Sequence, residues 1–139
     1  MSDDLASANV NRTYSLGATS IAIFTFTLIF LYPRYLSGEA NPVLFQVTLV
    51  VMAVATFALI LASFHYYASS LPGRIPDADR ARYSMRGDQL WVLGATMLFL
   101  APSLILFTIG LPGVGLAWFV LWVVYVLFVA LNFPRVRQK

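Results

Sequence analysis

Four long apolar runs, separated by short polar segments, constrain this chain more than any other feature of its sequence. None of the nine Lys and Arg residues or the six Asp and Glu residues in its 139 positions lies inside a run. Each run approaches the ~20 residues that a helix needs to cross a ~30 Å hydrocarbon core. The charged fraction of 11% is also far below the roughly 25% of a soluble domain. The sequence predicts an all-α polytopic membrane protein, a single domain built as a four-transmembrane-helix bundle.

Residues that favour helix ends bound the expected spans. The first span begins near Ser15 and is expected to stop at Pro33, since proline interrupts the helical hydrogen bonds. Asn41 and Pro42 then open the second span, with asparagine as N-cap and proline at the first helical position. Trp91 lies at the start of the third span, and the proline and glycine after Leu111 predict a tight turn into the fourth. The four predicted spans cover residues 15–32, 43–68, 90–109 and 114–132.

The distribution of basic residues predicts the orientation of these spans. One side of the membrane holds Arg12, the arginines of the loop 69–89 and the three basic residues after Pro134, whereas the other side holds Arg34 alone. The connections are short, so the excess of Lys and Arg indicates the cytoplasmic side. Both termini and the loop 69–89 are therefore expected to be cytoplasmic, in a plasma membrane of the bacterial inner-membrane type. A cleaved first span is the alternative, and it leaves the other three assignments unchanged.

The loop 69–89 carries much of the polar chemistry near a span. Its second half, from Asp77 onward, is expected to form a short interfacial helix with Asp77 as N-cap. Basic residues in such a position anchor anionic lipid headgroups, each contributing about 1 kcal/mol, or else they recognise a cytosolic partner or an anionic ligand. The residues predicted for this role are Arg74, Arg80, Arg82 and Arg86.

Several functional classes are excluded or disfavoured by what the spans lack. Proton-coupled carriers and intramembrane acid–base enzymes place ionisable groups inside the membrane, and these spans have none. The chain has no cysteine, so disulfides and thiolate metal sites are excluded. Phosphate-binding glycine loops, metal-ligand spacings and nucleophile elbows are also absent from the sequence. We therefore expect no catalytic residue, no cofactor and no metal. The basic residues lie beside spans, and this position predicts contact with lipid rather than with nucleic acid.

His65 is the only histidine, and with Tyr66 and Tyr67 it lies at the end of the second span. An interfacial histidine with a hydrated or hydrogen-bonded ring is the plain interpretation. A pH-sensing gate is a sharper alternative, and a haem or metal ligand is a third. One histidine does not supply bis-histidine ligation within a single chain, so a haem would have to bridge two subunits or use methionine.

Small and hydroxyl-bearing residues recur at helical spacing in the first three spans, and such faces allow close helix packing. The first span has Ser15, Ala18, Thr19, Ala22 and Thr25 on one face. The second has Thr48, Ala55, Ala58 and Ala62. The third has two such faces, one with Gly94, Ala101 and Thr108 and the other with Thr96, Ser103 and Gly110.

Two small faces on the third span predict that this helix lies in the middle of the bundle, with a kink at Pro102. Packing within the chain is one interpretation of all these faces. The alternative is a pathway through a protomer or around an oligomer axis, lined by the hydroxyls of Thr19, Thr25, Thr48, Thr96 and Ser103.

The fourth span has an aromatic row of Trp118, Trp122 and Tyr125. The polar ends of these rings need hydrogen-bond partners that hydrocarbon does not offer. The row therefore predicts either packing against the hydroxyls of the bundle or an interface with another protein. A chain with these features is expected to be an accessory or assembly subunit of a larger membrane complex. The alternative is a homo-oligomeric channel or facilitator for an ion or small solute.

Overall fold

The computed structural model describes residues 2–71 and 75–136, with side chains at 7–71, 75–76 and 79–132. Within these ranges the chain forms four α-helices joined by short turns: α1 (Ser2–Leu36), α2 (Pro42–Ser69), α3 (Asp77–Thr108) and α4 (Pro112–Val136). All four are long and apolar enough to cross a membrane. The all-helical fold with four candidate spans agrees with the sequence prediction and indicates an integral membrane protein.

The ends of the helices at the first and third turns follow from local sequence. The Oδ1 atom of Asn41 accepts the backbone N–H groups of Val43 and Leu44 at 3.0 and 3.1 Å, so the predicted N-cap of α2 is confirmed. The turns after α1 and α3 pass through Gly38 and Gly110, whose φ angles are 77° and 78°. Glycine adopts this left-handed conformation without the steric penalty that a Cβ atom brings.

Three boundaries differ from the prediction. Helix α1 begins at Ser2, well before the predicted start near Ser15. Helix α1 does not stop at Pro33 but continues to Leu36, because a single proline removes only one hydrogen bond and the helix ends within the next turn. Asp77 is not an N-cap and does not begin a separate interfacial helix. The cap position belongs to Pro76, and α3 continues without interruption into the third apolar run, since no strong helix breaker lies between them.

The helices pack in chain order as an open antiparallel array rather than a closed bundle. Helices α2 and α3 share the most extensive contact, α1 packs on α2, and α4 packs on α3. In the part of the chain that the structure describes, α4 contacts neither α1 nor α2, and α1 reaches α3 only marginally. The middle of the array is therefore shared by α2 and α3. The sequence predicted this position for the third helix and made no such prediction for the second.

The antiparallel arrangement divides the molecule into two ends. Arg12 on α1 lies over Trp91 of α3, and Arg80 of α3 contacts the last residue of α2. We call this end the basic end because it includes Arg12 and the described arginines of α3. Arg34 lies at the opposite end, in the last turn of α1. This division matches the loop-by-loop distribution of basic residues on which the predicted orientation depends.

The contact between α2 and α3 uses the small faces predicted from the sequence. A Cβ atom at Gly94 would lie 2.7 Å from Leu59 Cγ and 3.1 Å from the Ala55 carbonyl oxygen, so the two backbones approach closely there. Nearer the opposite end, the hydroxyls of Thr48 and Thr108 are 3.4 Å apart. The remaining small residues of these two faces, Ala58, Ala62 and Ala101, are also buried.

Helix α1 packs through a different face from the predicted one. The hydroxyls of Ser20 and Thr56 are 2.7 Å apart and join α1 to α2. The buried residues on this side of α1 are Thr13, Gly17, Ser20, Thr27 and Leu31, whereas the predicted face of Ser15, Ala18, Thr19, Ala22 and Thr25 is exposed. Both faces carry small residues and hydroxyls, so helical spacing alone does not distinguish them.

Candidate functional site

The basic end of the α2–α3 pair brings polar side chains from both helices into contact. The Tyr66 ring is buried, and its hydroxyl donates a 2.7 Å hydrogen bond to Oδ1 of Asp88. Gly87 makes room for this ring, because a Cβ atom there would lie 3.0 Å from two of its carbons. Asp88 was not among the predicted site residues. The sequence signal by which Asp88 could have been identified is a glycine followed by an aspartate at the start of an apolar run.

His65 lies on the adjacent side of α2 and is half-buried. Its ring centroid is 5.7 Å from that of Tyr83 on α3, which places it in an aromatic contact near the end of the helix. Tyr67, in contrast, is exposed, so the structure does not bring the three predicted residues into one cluster. Within the described residues no group of three His, Asp or Glu side chains is arranged to hold a metal ion. A pH-sensing role for His65 stays a prediction.

The arginines near the start of α3 have different environments. The Nε atom of Arg80 donates a 2.9 Å hydrogen bond to the Ser69 carbonyl oxygen, so this residue connects α3 to the last residue of α2. Arg82 and Arg86 are exposed, and the former lies 3.6 Å from the carboxylate of Asp79. Arg74 lies outside the described residues, and its predicted role is not placed by the structure.

A polar cavity of about 230 Å³ accompanies this part of α3. Asp79, Arg82, Tyr83 and Arg86 line it. Their spacing of three or four residues places all four on one face of the helix. The sequence named two of the four as headgroup or partner contacts, but it did not indicate that they surround a concavity.

Arg12 joins the first helix to the third. Its guanidinium carbon lies 4.7 Å from the centroid of the Trp91 ring, within the range of a cation–π interaction. The sequence placed this arginine in a polar tail before the first span. Because α1 is already helical from Ser2, the side chain is carried on an ordered helix and lies across the start of the third apolar run.

The five hydroxyl residues proposed for a pathway do not converge within the protomer. Thr48 is buried between α2 and α3 and donates to the Leu44 carbonyl. Ser103 is buried against α4 and donates to the Gly115 carbonyl at 2.9 Å. Thr96 lies on α3 where α4 packs, whereas Thr19 and Thr25 are exposed on α1. They therefore belong to three separate surfaces.

An apolar groove of about 420 Å³ runs between α1 and α2 near the basic end. Gly17, Ile21, Ile60 and Phe64 are among its lining residues, and Tyr14 and Tyr67 also border it. The sequence analysis did not predict it, because it depends on which face of α1 meets α2.

The aromatic row of α4 directs its polar atoms toward α3. The indole N–H of Trp118 donates to the Phe99 carbonyl at 3.0 Å, and that of Trp122 donates to the Thr96 carbonyl at 2.8 Å. The Tyr125 ring packs 4.9 Å from the Phe99 ring, measured between centroids. The indoles are thus satisfied by backbone carbonyls rather than by the hydroxyls expected from the sequence. An interface through these three residues stays a prediction.

No protein-family model, no curated protein and no solved structure matches this chain.

Proposed function

We propose that this chain is a small non-catalytic integral membrane protein that serves as an accessory or assembly subunit of a membrane complex. The observation that supports this role best is the position of α4. This helix packs on α3 alone among the described elements, so most of its circumference is open to another protein.

The open surface of α4 is apolar and is held in a defined orientation. Two indole hydrogen bonds and the Ser103 hydrogen bond connect the opposite side of the helix to α3. In a bilayer, helices associate through van der Waals packing because lipid and protein side chains are equally apolar. The outer face of α4, as we use the term, comprises the exposed residues Leu116, Val120, Leu121, Val124, Leu127, Phe128 and Leu131.

The same proposal includes an orientation with both termini and the α2–α3 turn in the cytoplasm of a cell with a bacterial-type inner membrane. It is supported by the grouping of Arg12, Arg80, Arg82 and Arg86 at the basic end and by the position of Arg34 at the other. Short connections with such an asymmetry follow the positive-inside rule.

Docking through α4 is tested by native mass measurement of the protein extracted in mild detergent. Wild type is expected to co-purify with one partner at fixed stoichiometry, and Phe128→Ala to lose it. Phe57→Ala is the matched control, because the two phenylalanines are 65% and 67% exposed on α4 and α2. Equal recovery of the partner with both variants argues against docking through α4, and the absence of any larger complex argues against the accessory role.

A homo-oligomeric channel or facilitator is the second candidate, and the exposed hydroxyls of α1 favour it. Thr19 and Thr25 lie on a face that no other described helix covers, so copies arranged around an axis would bring these hydroxyls together. Liposomes containing wild type should then pass an ion or small solute faster than Thr25→Leu liposomes. If wild-type liposomes are no more permeable than empty ones, the channel is excluded.

A further inference from the structure

The polar cavity on α3 combines two arginines, one tyrosine and one aspartate on a single helical face. Asp79, Arg82, Tyr83 and Arg86 follow one another at intervals of three, one and three residues. Because helical side chains three and four positions apart are neighbours, this spacing produces a continuous polar surface. The contact between Tyr83 and His65 places a residue of α2 beside this surface and restricts the position of the tyrosine ring.

The charges around the cavity favour an anion. The lining contains two guanidinium groups and one carboxylate, and the ion pair between Arg82 and Asp79 is long. Its N···O distance is 3.6 Å, and the two side chains are 78% and 48% exposed. Such an exposed pair is weak because water screens it. Arg82 therefore retains most of its N–H donors for a ligand, and Arg86 contributes a second fork of donors one turn away.

The geometry points to a phosphate group as the ligand. We propose that this cavity binds a phosphate group, carried by an anionic lipid headgroup or by a soluble phosphate ester. Planar guanidinium groups match the oxygen atoms of phosphate with two parallel hydrogen bonds, which an ammonium group does not do. The volume of about 230 Å³ accommodates a phosphate with part of the group to which it is esterified. This site does not depend on the accessory role, since the isolated chain contains all four residues.

The test uses the purified full chain in a neutral detergent, with two probes that separate the sources of phosphate. Native mass spectrometry measures retention of added phosphatidylglycerol against phosphatidylcholine, and calorimetry measures binding of glycerol 3-phosphate. Retention of phosphatidylglycerol alone assigns the site to a lipid headgroup, and binding of glycerol 3-phosphate alone assigns it to a soluble ester. Binding of neither probe overturns the proposal.

Variants locate the binding at this cavity. Arg82→Gln and Arg86→Gln should each weaken binding about fivefold, the equivalent of ~1 kcal/mol per basic residue near an anionic group. Arg34→Gln, at the opposite end of the molecule, is the control and should bind as wild type does. Asp79→Asn should strengthen binding, because it removes the carboxylate that competes for Arg82. Wild-type affinity in both arginine variants, or weaker binding in Asp79→Asn, would falsify the assignment.

Thermal unfolding of each variant in the same detergent shows whether it is folded. The three substituted residues that line the cavity, Asp79, Arg82 and Arg86, have side chains at the surface. Each variant is therefore expected to unfold at the wild-type temperature. If an arginine variant unfolds at a lower temperature than wild type, Arg86→Lys is tested in its place. This variant keeps the positive charge, so weakened binding in it supports the bidentate phosphate contact. Unchanged binding in Arg86→Lys overturns that contact.

Discussion

At the scale of single residues, two glycines of α3 pack against α2 where an added side chain would meet the neighbouring helix. At Gly94 the obstacle to a side chain includes the Ala55 carbonyl oxygen, which belongs to the backbone and does not move aside easily. At Gly87 the obstacle is the ring of Tyr66, which is itself fixed by its hydrogen bond to Asp88. Close approach in this pair therefore depends on the absence of a side chain at Gly94 in the middle of the contact and at Gly87 near the basic end.

Replacing Gly94 with alanine should destabilise the protein despite the higher helix propensity of alanine. The added methyl group would have to displace Leu59 and separate the two helices, and overpacking of this kind costs about 1–3 kcal/mol. Thermal unfolding in detergent measures the effect. Gly113→Ala is the control, because nothing lies within 4 Å of a Cβ atom there. Equal stability of the two variants would show that α2 and α3 do not approach as closely as described.

The hydrogen bond between Tyr66 and Asp88 should be measurable on its own. Tyr66→Phe keeps the ring against Gly87 but removes the donor. A hydrogen bond to a charged group contributes about 1.5–3 kcal/mol, and the lower value applies because Asp88 is half-buried. Tyr67→Phe, on the exposed side of the same helix, should leave the unfolding temperature unchanged. A Tyr66→Phe protein as stable as wild type would mean that water replaces the phenol at no cost.

At the scale of elements, the sequence predicted the number and order of the helices but not which face of α1 packs. The small faces of α2 and α3 were correctly chosen because α2 has one row of small residues and both such rows of α3 are used, one against α2 and the other against α4. Helix α1 has two such rows, and membrane helices are apolar on all sides, so hydrophobic periodicity does not identify the buried face. The Ser20–Thr56 hydrogen bond joins the faces through which α1 and α2 actually pack, and the packing of Ser20 depends on a partner 36 residues away.

The candidate site was also predictable from the sequence only in part. Tyr66 and the arginines of α3 were named because polar residues near spans are few. The cation–π contact of Arg12 with Trp91 was not, because it depends on α1 being helical well before its apolar run begins. The cavity was not, because a helix predicted from Asp77 onward does not specify how its side chains surround a concavity. Helix propensity is weak evidence for where a helix begins within a polar segment, because tertiary contacts determine such boundaries.

Cysteine pairs test the packing face of α1 directly. The chain has no native cysteine, so a double variant forms one disulfide or none. Ser20→Cys with Thr56→Cys should cross-link on mild oxidation, because the replaced hydroxyls are 2.7 Å apart. Mobility on a non-reducing gel, with mass spectrometry of the digest, detects the bond. Thr19→Cys with Thr56→Cys is the matched control, and a cross-link there but not in the first pair would restore the face predicted from the sequence.

At the scale of the whole molecule, the two outer helices of the open array have fewer packing neighbours than the inner pair. Helices α1 and α4 are each held mainly by one neighbour, whereas α2 and α3 pack on both sides. The outer helices therefore present most of the surface available to lipid or to a partner. The hydrogen bonds of Tyr66 with Asp88 and of Arg80 with the Ser69 carbonyl both lie at the basic end, so the array is also asymmetric from end to end.

This asymmetry predicts how the array is oriented in the membrane. Ala81→Cys lies at the basic end and Ser37→Cys at the opposite end, and both positions are exposed. A membrane-impermeant maleimide added to intact cells should label Ser37→Cys and leave Ala81→Cys unlabelled, because short basic segments stay on the cytoplasmic side. Permeabilised cells, in which both variants should react, provide the control for accessibility. Labelling of Ala81→Cys in intact cells would invert the topology, and it would place the proposed phosphate site outside the cell.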